Sequence, residues 1–157
     1  MSKLTLHTPG LEELSFKEFL LADAETMSYN HGSGGTIPFP QKSWEGWYKF
    51  WINVDCSKRY YAYLKEKETS NFVGEISYRY DKKYDGHVTS VIILNKYRGK
   101  GYGREGLSLL IEQARSNGVK VLIDDIVIDN PVVPLFLSFG FVEDFRNDQI
   151  ILLKKKL

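Results

Sequence analysis

One run limits what this chain can fold into more than any other: Val91-Ile-Ile-Leu94, then Asn-Lys-Tyr-Arg98-Gly-Lys-Gly-Tyr-Gly103. The β-branched apolar segment reads as a buried strand, and beyond the turn Leu107, Leu110, Ile111 and Ala114 share one face of a helix. Between them glycine stands at 99, 101 and 103. Lacking a Cβ, these positions let the backbone turn sharply and bring its N–H groups together. They converge at a helix N-terminus, where unpaired amides and the macrodipole favour an anion. Arg98, Lys100 and Arg104 add positive charge around it. The run reads as a cradle for a diphosphate, against the plainer alternative of a glycine-rich strand–helix turn.

Two familiar phosphate motifs fail on spacing. The Gly-x-Gly-x-Gly here does not match the dinucleotide fingerprint Gly-x-Gly-x-x-Gly, and neither this run nor His31–Gly35 supplies a Walker loop.

Upstream, Lys3–His7 alternates weakly and reads as an edge strand. Residues 11–28 are helix-prone, with Asp23 able to cap a further turn. His31–Pro40 is a loop by composition, either covering substrate or simply joining helices. Ser43 is the expected N-cap of a helix carrying Trp44, Trp47, Tyr48 and Trp51 on one face. Such a stripe is core, and lines a cleft as well if the helix leans over one. From residue 59 the period becomes two: strands at 59–65, 72–80 and 87–94, joined by polar turns, form an antiparallel meander. After the helix, Gly118 is a natural C′ residue, and 119–128 is a buried strand parallel to the cradle strand. Val132–Phe139 is a short helix, and closing strands are expected at 140–142 and 149–153. With no repeat and no linker composition, residues 1–157 are expected to form one domain.

The order of these elements resembles that of the GNAT acyltransferases. Tyr97-Arg98-Gly-Lys-Gly-Tyr-Gly103 carries the resemblance most specifically. Asp129-Asn130-Pro131 with Leu135-Phe136 and Phe139-Gly140-Phe141 supports it, as does Phe72-Val-Gly-Glu75 more weakly. It covers at least residues 59–145; the first 58 match only in carrying helices that would form the acceptor side. It implies an α/β (mixed α+β) single domain, with a mostly antiparallel central sheet and a splayed parallel strand pair flanked by helices. It implies acetyl-CoA as co-substrate and transfer of acetyl to a primary amine of a small acceptor by direct attack. The pyrophosphate would rest on Arg98, Gly99, Lys100, Gly101, Tyr102, Gly103 and Arg104. The pantetheine arm would run along Val91, Ile92 and Ile93, with the Ile93 N–H polarising the thioester carbonyl. Asn130 and Phe136 would complete the coenzyme site. The family often has tyrosine at the position of Phe136, where it protonates the leaving thiolate. Here that role is vacant or passes to another hydroxyl such as Tyr97 or Tyr102. This departure keeps an alternative open, a non-catalytic acyl-CoA-binding module.

Direct attack needs a base for the amine proton. Asp124 and Asp125 interrupt the apolar run 121–128, and strand alternation sends them to opposite faces. Glu75 lies between Val73 and Ile76 in another strand. Glu75 and Asp125 are the candidate bases, with Asp124 and His87 behind them; for each the alternative is a structural ion pair. Trp44, Tyr48, Tyr78 and Tyr80, together with the acids, suggest a small cationic or amphipathic acceptor.

A net charge of +1 gives no reason to expect nucleic acid or a membrane as partner. The single cysteine, Cys56, builds no disulfide framework and no metal site is expected. A cytoplasmic monomer or homodimer is the expectation.

Overall fold

The computed structural model describes residues 2–157, apart from the side chains of 31–33. Strand β1 (Leu4–His7) leads to helix α1 (Leu14–Ala22) and helix α2 (Trp44–Trp51). The period-two segments form β2 (Arg59–Glu66), β3 (Phe72–Asp81) and β4 (Gly86–Ile93), each antiparallel to the next. Helix α3 (Tyr102–Ser116) carries the chain to β5 (Val121–Val127), then α4 (Val133–Ser138), β6 (Val142–Arg146) and β7 (Ile150–Lys156). The seven strands are ordered β1-β2-β3-β4-β5-β7-β6, and β4–β5 is the parallel pair.

Alternation divides the sheet's burial between two helical layers. On one face Ala62, Leu64, Ile76, Tyr78 and Ile93 join Leu107, Leu110 and Ala114 of α3 in the main core. On the other, Leu14 and Leu21 of α1 pack with Met27, Phe39, Trp44, Trp47, Tyr48 and Ile92. Gly74 sets how closely β3 and β4 approach: a Cβ there would meet the Ile92 carbonyl oxygen at 2.2 Å.

The parallel pairing is brief. His87 pairs with Leu122 and Val88 with Ile123, and beyond these two positions β4 and β5 part. A fork therefore opens in the sheet, with Thr89 and Asp124 at its root.

Three expectations change in detail. The helix expected over 11–28 stops at Ala22, because Asp23 is extended (φ −79°, ψ 109°) and its carboxylate accepts the Thr26 N–H at 3.1 Å and the Thr26 hydroxyl. Ser43 precedes α2 but makes no capping bond, since a 3-10 turn at Gln41–Ser43 puts it in helical geometry (φ −93°, ψ −10°). The closing strands are longer and later than expected, because the turn after α4 takes up Gly140 at φ +89°. Among the described residues no helix is long and apolar enough to cross a membrane.

Candidate functional site

The fork holds a cleft of about 1230 Å³. Thr89–Ile93 form one wall, Asp124–Ile128 the other, and the turn at 97–103 stands at one end beside Asn130 and Phe136. Thr26, Met27, Tyr29 and Asn30 close it from the α1 side.

The wall on β4 has usable backbone. Leu94 donates its N–H to Val73 on β3 at 2.8 Å. Alternation along the strand then turns the amides of Val91 and Ile93 to the opposite edge, toward the cleft. Beyond Val88 no β5 residue pairs with that edge.

Gly99 and Gly101 both take positive φ (+81° and +83°), which is why glycine is needed there. Gly101 is the N-cap of α3 and no side chain caps the helix, so its first-turn amides are available to a ligand. Lys100 and Arg104 lie over the rings of Tyr97 and Phe139, at 5.5 Å and 5.6 Å from the centroids. Arg98 is spent differently: its guanidinium donates to the Thr26 carbonyl at 2.8 Å and the Glu25 carbonyl at 3.4 Å. Asn95 reinforces this tie, donating its N–H to the Thr26 hydroxyl at 2.9 Å. The basic turn is thereby fastened to the segment that closes the cleft. Asn130 accepts the Val132 N–H at 3.0 Å and so starts the turn into α4.

The acids fall in three places. Asp124 and Asp125 both line the cleft, on opposite faces of β5. Asp124 accepts a hydrogen bond from the Thr89 hydroxyl at 3.1 Å. Burial, and then the neighbouring charge of Asp125, push its carboxyl well above the usual range. Asp125 is exposed. Glu75 is not part of the cleft wall. Buried beneath α1, it receives the Lys17 ammonium at 2.9 Å and the Tyr61 hydroxyl at 2.6 Å. The ammonium sits among three rings, 4.9 Å from Tyr61, 5.1 Å from Trp47 and 5.8 Å from Phe39. Burial and the Glu75 charge raise the Tyr61 phenol well above its ordinary value. His87 also lies off the cleft, its Nε2 2.6 Å from the Ser57 carbonyl.

The aromatic residues expected to receive an acceptor do not wall this cleft. Trp47 packs edge-on to Tyr61 at 4.6 Å, and Trp44 stacks near Phe39 at 6.4 Å. Tyr78 is core, and Tyr80 points its hydroxyl at Asp85 at 2.8 Å. The α2 stripe is half-buried packing. Sequence reasoning missed Thr26 and Met27, which fall in the segment read as helix, and Tyr29 and Asn30, which lie just beyond it. It also missed Thr89, whose signal was a hydroxyl inside an apolar strand. The expectation that the 31–40 loop covers substrate falls partly on side chains outside the described residues, those of 31–33.

A forked parallel pair, an uncapped helix start behind a positive-φ glycine turn, and a groove along a free strand edge define a fold built to hold an extended, anion-ended ligand. The sequence model of the acetyltransferase (GNAT) family matches residues 20–141, and the chain belongs to that family. The family uses acetyl-CoA as co-substrate. Among curated proteins none matches the chain in sequence. Solved structures do match in fold. Spermidine N-acetyltransferase from Vibrio cholerae, in complex with CoA and spermine, superposes with a TM-score of 0.80 at 18% identity, over 99% of this chain and 96% of that one. A GNAT-family acetyltransferase from Streptococcus pneumoniae gives 0.80 at 16% identity, over 99% and 100%. A candidate acetyltransferase from Salmonella typhimurium with its cofactor acetyl-CoA gives 0.71 at 20%, over 99% and 95%.

Proposed function

We propose that this chain is an N-acetyltransferase that moves the acetyl group of acetyl-CoA onto a primary amine of a small cationic acceptor by direct attack. The observation that carries the reading is the fork between β4 and β5, a groove edged by the free amides of Val91 and Ile93 and ending at the uncapped start of α3.

Acetyl-CoA supplies an activated thioester. The residues present fit it, because a strand edge with unpaired amides suits an amide-bearing arm and the basic turn suits a diphosphate. In this reading Val91, Ile92 and Ile93 align the arm, and the Ile93 N–H donates to the carbonyl oxygen as it gains charge. Gly99, Gly101 and Gly103 let the backbone of the turn approach the phosphates, and Lys100, Tyr102 and Arg104 frame them. Arg98 links that turn to the Thr26 segment, while Asn130 and Phe136 bound the arm from α4. Asp125, exposed on the α1–α2 face of β5, takes the proton from the attacking amine. Glu75 remains the counter-ion of Lys17 and anchors α1.

The cationic character of the acceptor is supported by Asp125, Asp129 and Asp148, all of which line the cleft. The spermine held by the Vibrio cholerae relative accords with it. The test has two stages. Acetyl-CoA should raise the melting temperature where ATP and NAD do not; at a hundred times Kd the stabilisation is about 2.7 kcal/mol. Thiol release should then follow with spermidine, spermine and simple diamines, and fail with anionic amines. Binding without release across the whole panel would instead favour a non-catalytic acyl-CoA-binding module, the reading that Phe136 keeps alive. No stabilisation by acetyl-CoA would refute both.

A further inference from the structure

Thr26 joins the two sides of the cleft. Helix α1 ends at Ala22 and α2 begins at Trp44, and residues 23–30 between them give Thr26, Met27, Tyr29 and Asn30 to the closing wall. Backbone bonds hold the turns of this stretch, the Met27 N–H donating to Asp23 at 3.0 Å and the Asn30 N–H to Met27 at 2.9 Å. Among the described residues, every hydrogen bond from the stretch to the sheet side of the cleft reaches Asn95 or Arg98. Met27 adds an apolar anchor beside Leu14, Leu21, Phe39 and Ile92. Apolar burial is not directional, so it holds the stretch down without fixing its register.

The Thr26 hydroxyl works in both directions. It accepts the Asn95 N–H at 2.9 Å and donates its own proton to the Asp23 carboxylate, which also receives the Thr26 N–H at 3.1 Å. The residue is 4% exposed, so water does not readily replace either partner. Beside it Asn95 Nδ2 donates to the Glu25 carboxylate at 2.5 Å, and Arg98 donates to the Thr26 carbonyl at 2.8 Å.

The far end of this joint is fixed to the sheet. The Leu94 N–H donates to Val73 on β3, and the Tyr97 N–H to the Leu94 carbonyl, both at 2.8 Å, so Asn95 continues β4 without slack. Its amide stands two residues past that of Ile93, at most about 7 Å along the chain. In the acetyl-transfer reading the Ile93 N–H meets the thioester carbonyl. One short piece of backbone therefore fixes the electrophile and, through Thr26, the wall on the acceptor side.

We infer that Thr26 is the positioning residue that sets the acceptor wall in register with the thioester, through its hydroxyl and the Asn95 amide. This rests on the proposed acetyl transfer. Small displacements suffice to make it matter: reacting atoms must come within about 3–3.5 Å, and an error of about 1 Å can cost about 10²-fold. A coenzyme seated along β4 and on the turn steadies Asn95 and Arg98, and the joint passes that order to Met27 and Asn30.

The test compares Thr26→Val, which keeps the shape and removes the hydroxyl, with Thr26→Ser, which keeps the hydroxyl. The first readout needs no turnover: amide exchange with and without acetyl-CoA. In wild type the coenzyme should slow Met27 and Asn30 together with Tyr102, Gly103 and Arg104. In T26V the three α3 amides should still slow while Met27 and Asn30 do not, and the Asn95 amide should exchange faster even without coenzyme. The second readout is kinetic, with spermidine as acceptor. T26V should raise the acceptor KM and lower kcat, cutting kcat/KM about 10–10²-fold, with acetyl-CoA affinity within about threefold of wild type. T26S should recover most of that loss.

Four results overturn the assignment: slowing at α3 in wild type without slowing at Met27 and Asn30; unchanged Asn95 exchange in T26V; T26S as impaired as T26V; or equal losses of acetyl-CoA and acceptor affinity, the mark of a merely structural role. If T26V fails to fold, Asn95→Ala decides. It cuts the side-chain links to Glu25 and Arg98 and should raise the acceptor KM about fivefold, the lower end of coupling between sites; an unchanged KM overturns the assignment. No exchange response to acetyl-CoA anywhere in wild type would sink the acetyl-transfer reading itself, a result distinct from these.

Discussion

Replacing Lys17 by methionine exposes how the acceptor side is held. The Lys17 ammonium and Glu75 carboxylate are 2.9 Å apart with side chains 9% and 5% exposed, so neither finds water if its partner is removed. Lys17→Met keeps the length of the side chain and its packing among Tyr61, Trp47 and Phe39, but leaves the Glu75 charge with the Tyr61 hydroxyl alone. Breaking a buried pair from one side costs about 3–5 kcal/mol, because the remaining charge is uncompensated. For a domain of this size each kcal/mol is worth about 2–4 °C, so melting should fall by about 6–20 °C. Calorimetry or urea unfolding at pH 7 measures it. The double variant Lys17→Met with Glu75→Leu should recover most of the loss, since an apolar pair of similar volume is often neutral. A single variant within about 1 kcal/mol of wild type would refute the argument. So would a double variant as unstable as the single.

Other outcomes are equally specific. Gly74→Ala drives a Cβ to within 2.2 Å of a backbone carbonyl, so β3 and β4 must separate; a loss of about 1–3 kcal/mol is expected by denaturant unfolding. Arg98→Ala frees the Thr26 segment from the basic turn, and proteolysis should become faster near residue 26 while acetyl-CoA affinity falls and its salt dependence weakens. The Asp124 carboxyl has its folded value raised above an unfolded value near ~3.9, so its contribution to stability is complete below that pH and lost as pH rises through the folded value. Asp124→Asn escapes that loss: its melting temperature should exceed that of wild type at pH 8, by a margin that shrinks toward pH 4.

The part of the fold that bears on the coenzyme was legible because it is local. Period-two alternation from 59 to 94, three glycines in five positions and one amphipathic helix specify the meander, the turn and α3 without any long-range knowledge. The fork could not be read from β4 or β5 alone, since it depends on where their pairing ends. The surroundings of the acids were hidden for a related reason. Glu75 and Asp124 both look anomalous in apolar strands, yet only contacts far along the chain separate them, Lys17 for one and Thr89 for the other. Lys17 gave a signal that was passed over: it lies three residues after Leu14 and four before Leu21, on the buried face of α1. The aromatic stripe of α2 is packing, as its spacing suggested, and only the contacts with Tyr61 and Phe39 separate that from a cleft wall, which would use the same spacing.

The most direct check on the account is amide hydrogen exchange, residue by residue, with and without acetyl-CoA. The amides of Val91 and Ile93 and those opening α3 at Tyr102, Gly103 and Arg104 should slow sharply on binding. Ser90 and Ile92, already turned toward β3, should change little. Slowing confined to other surfaces, or equal slowing of odd and even positions along β4, would contradict the claim that the coenzyme occupies the fork.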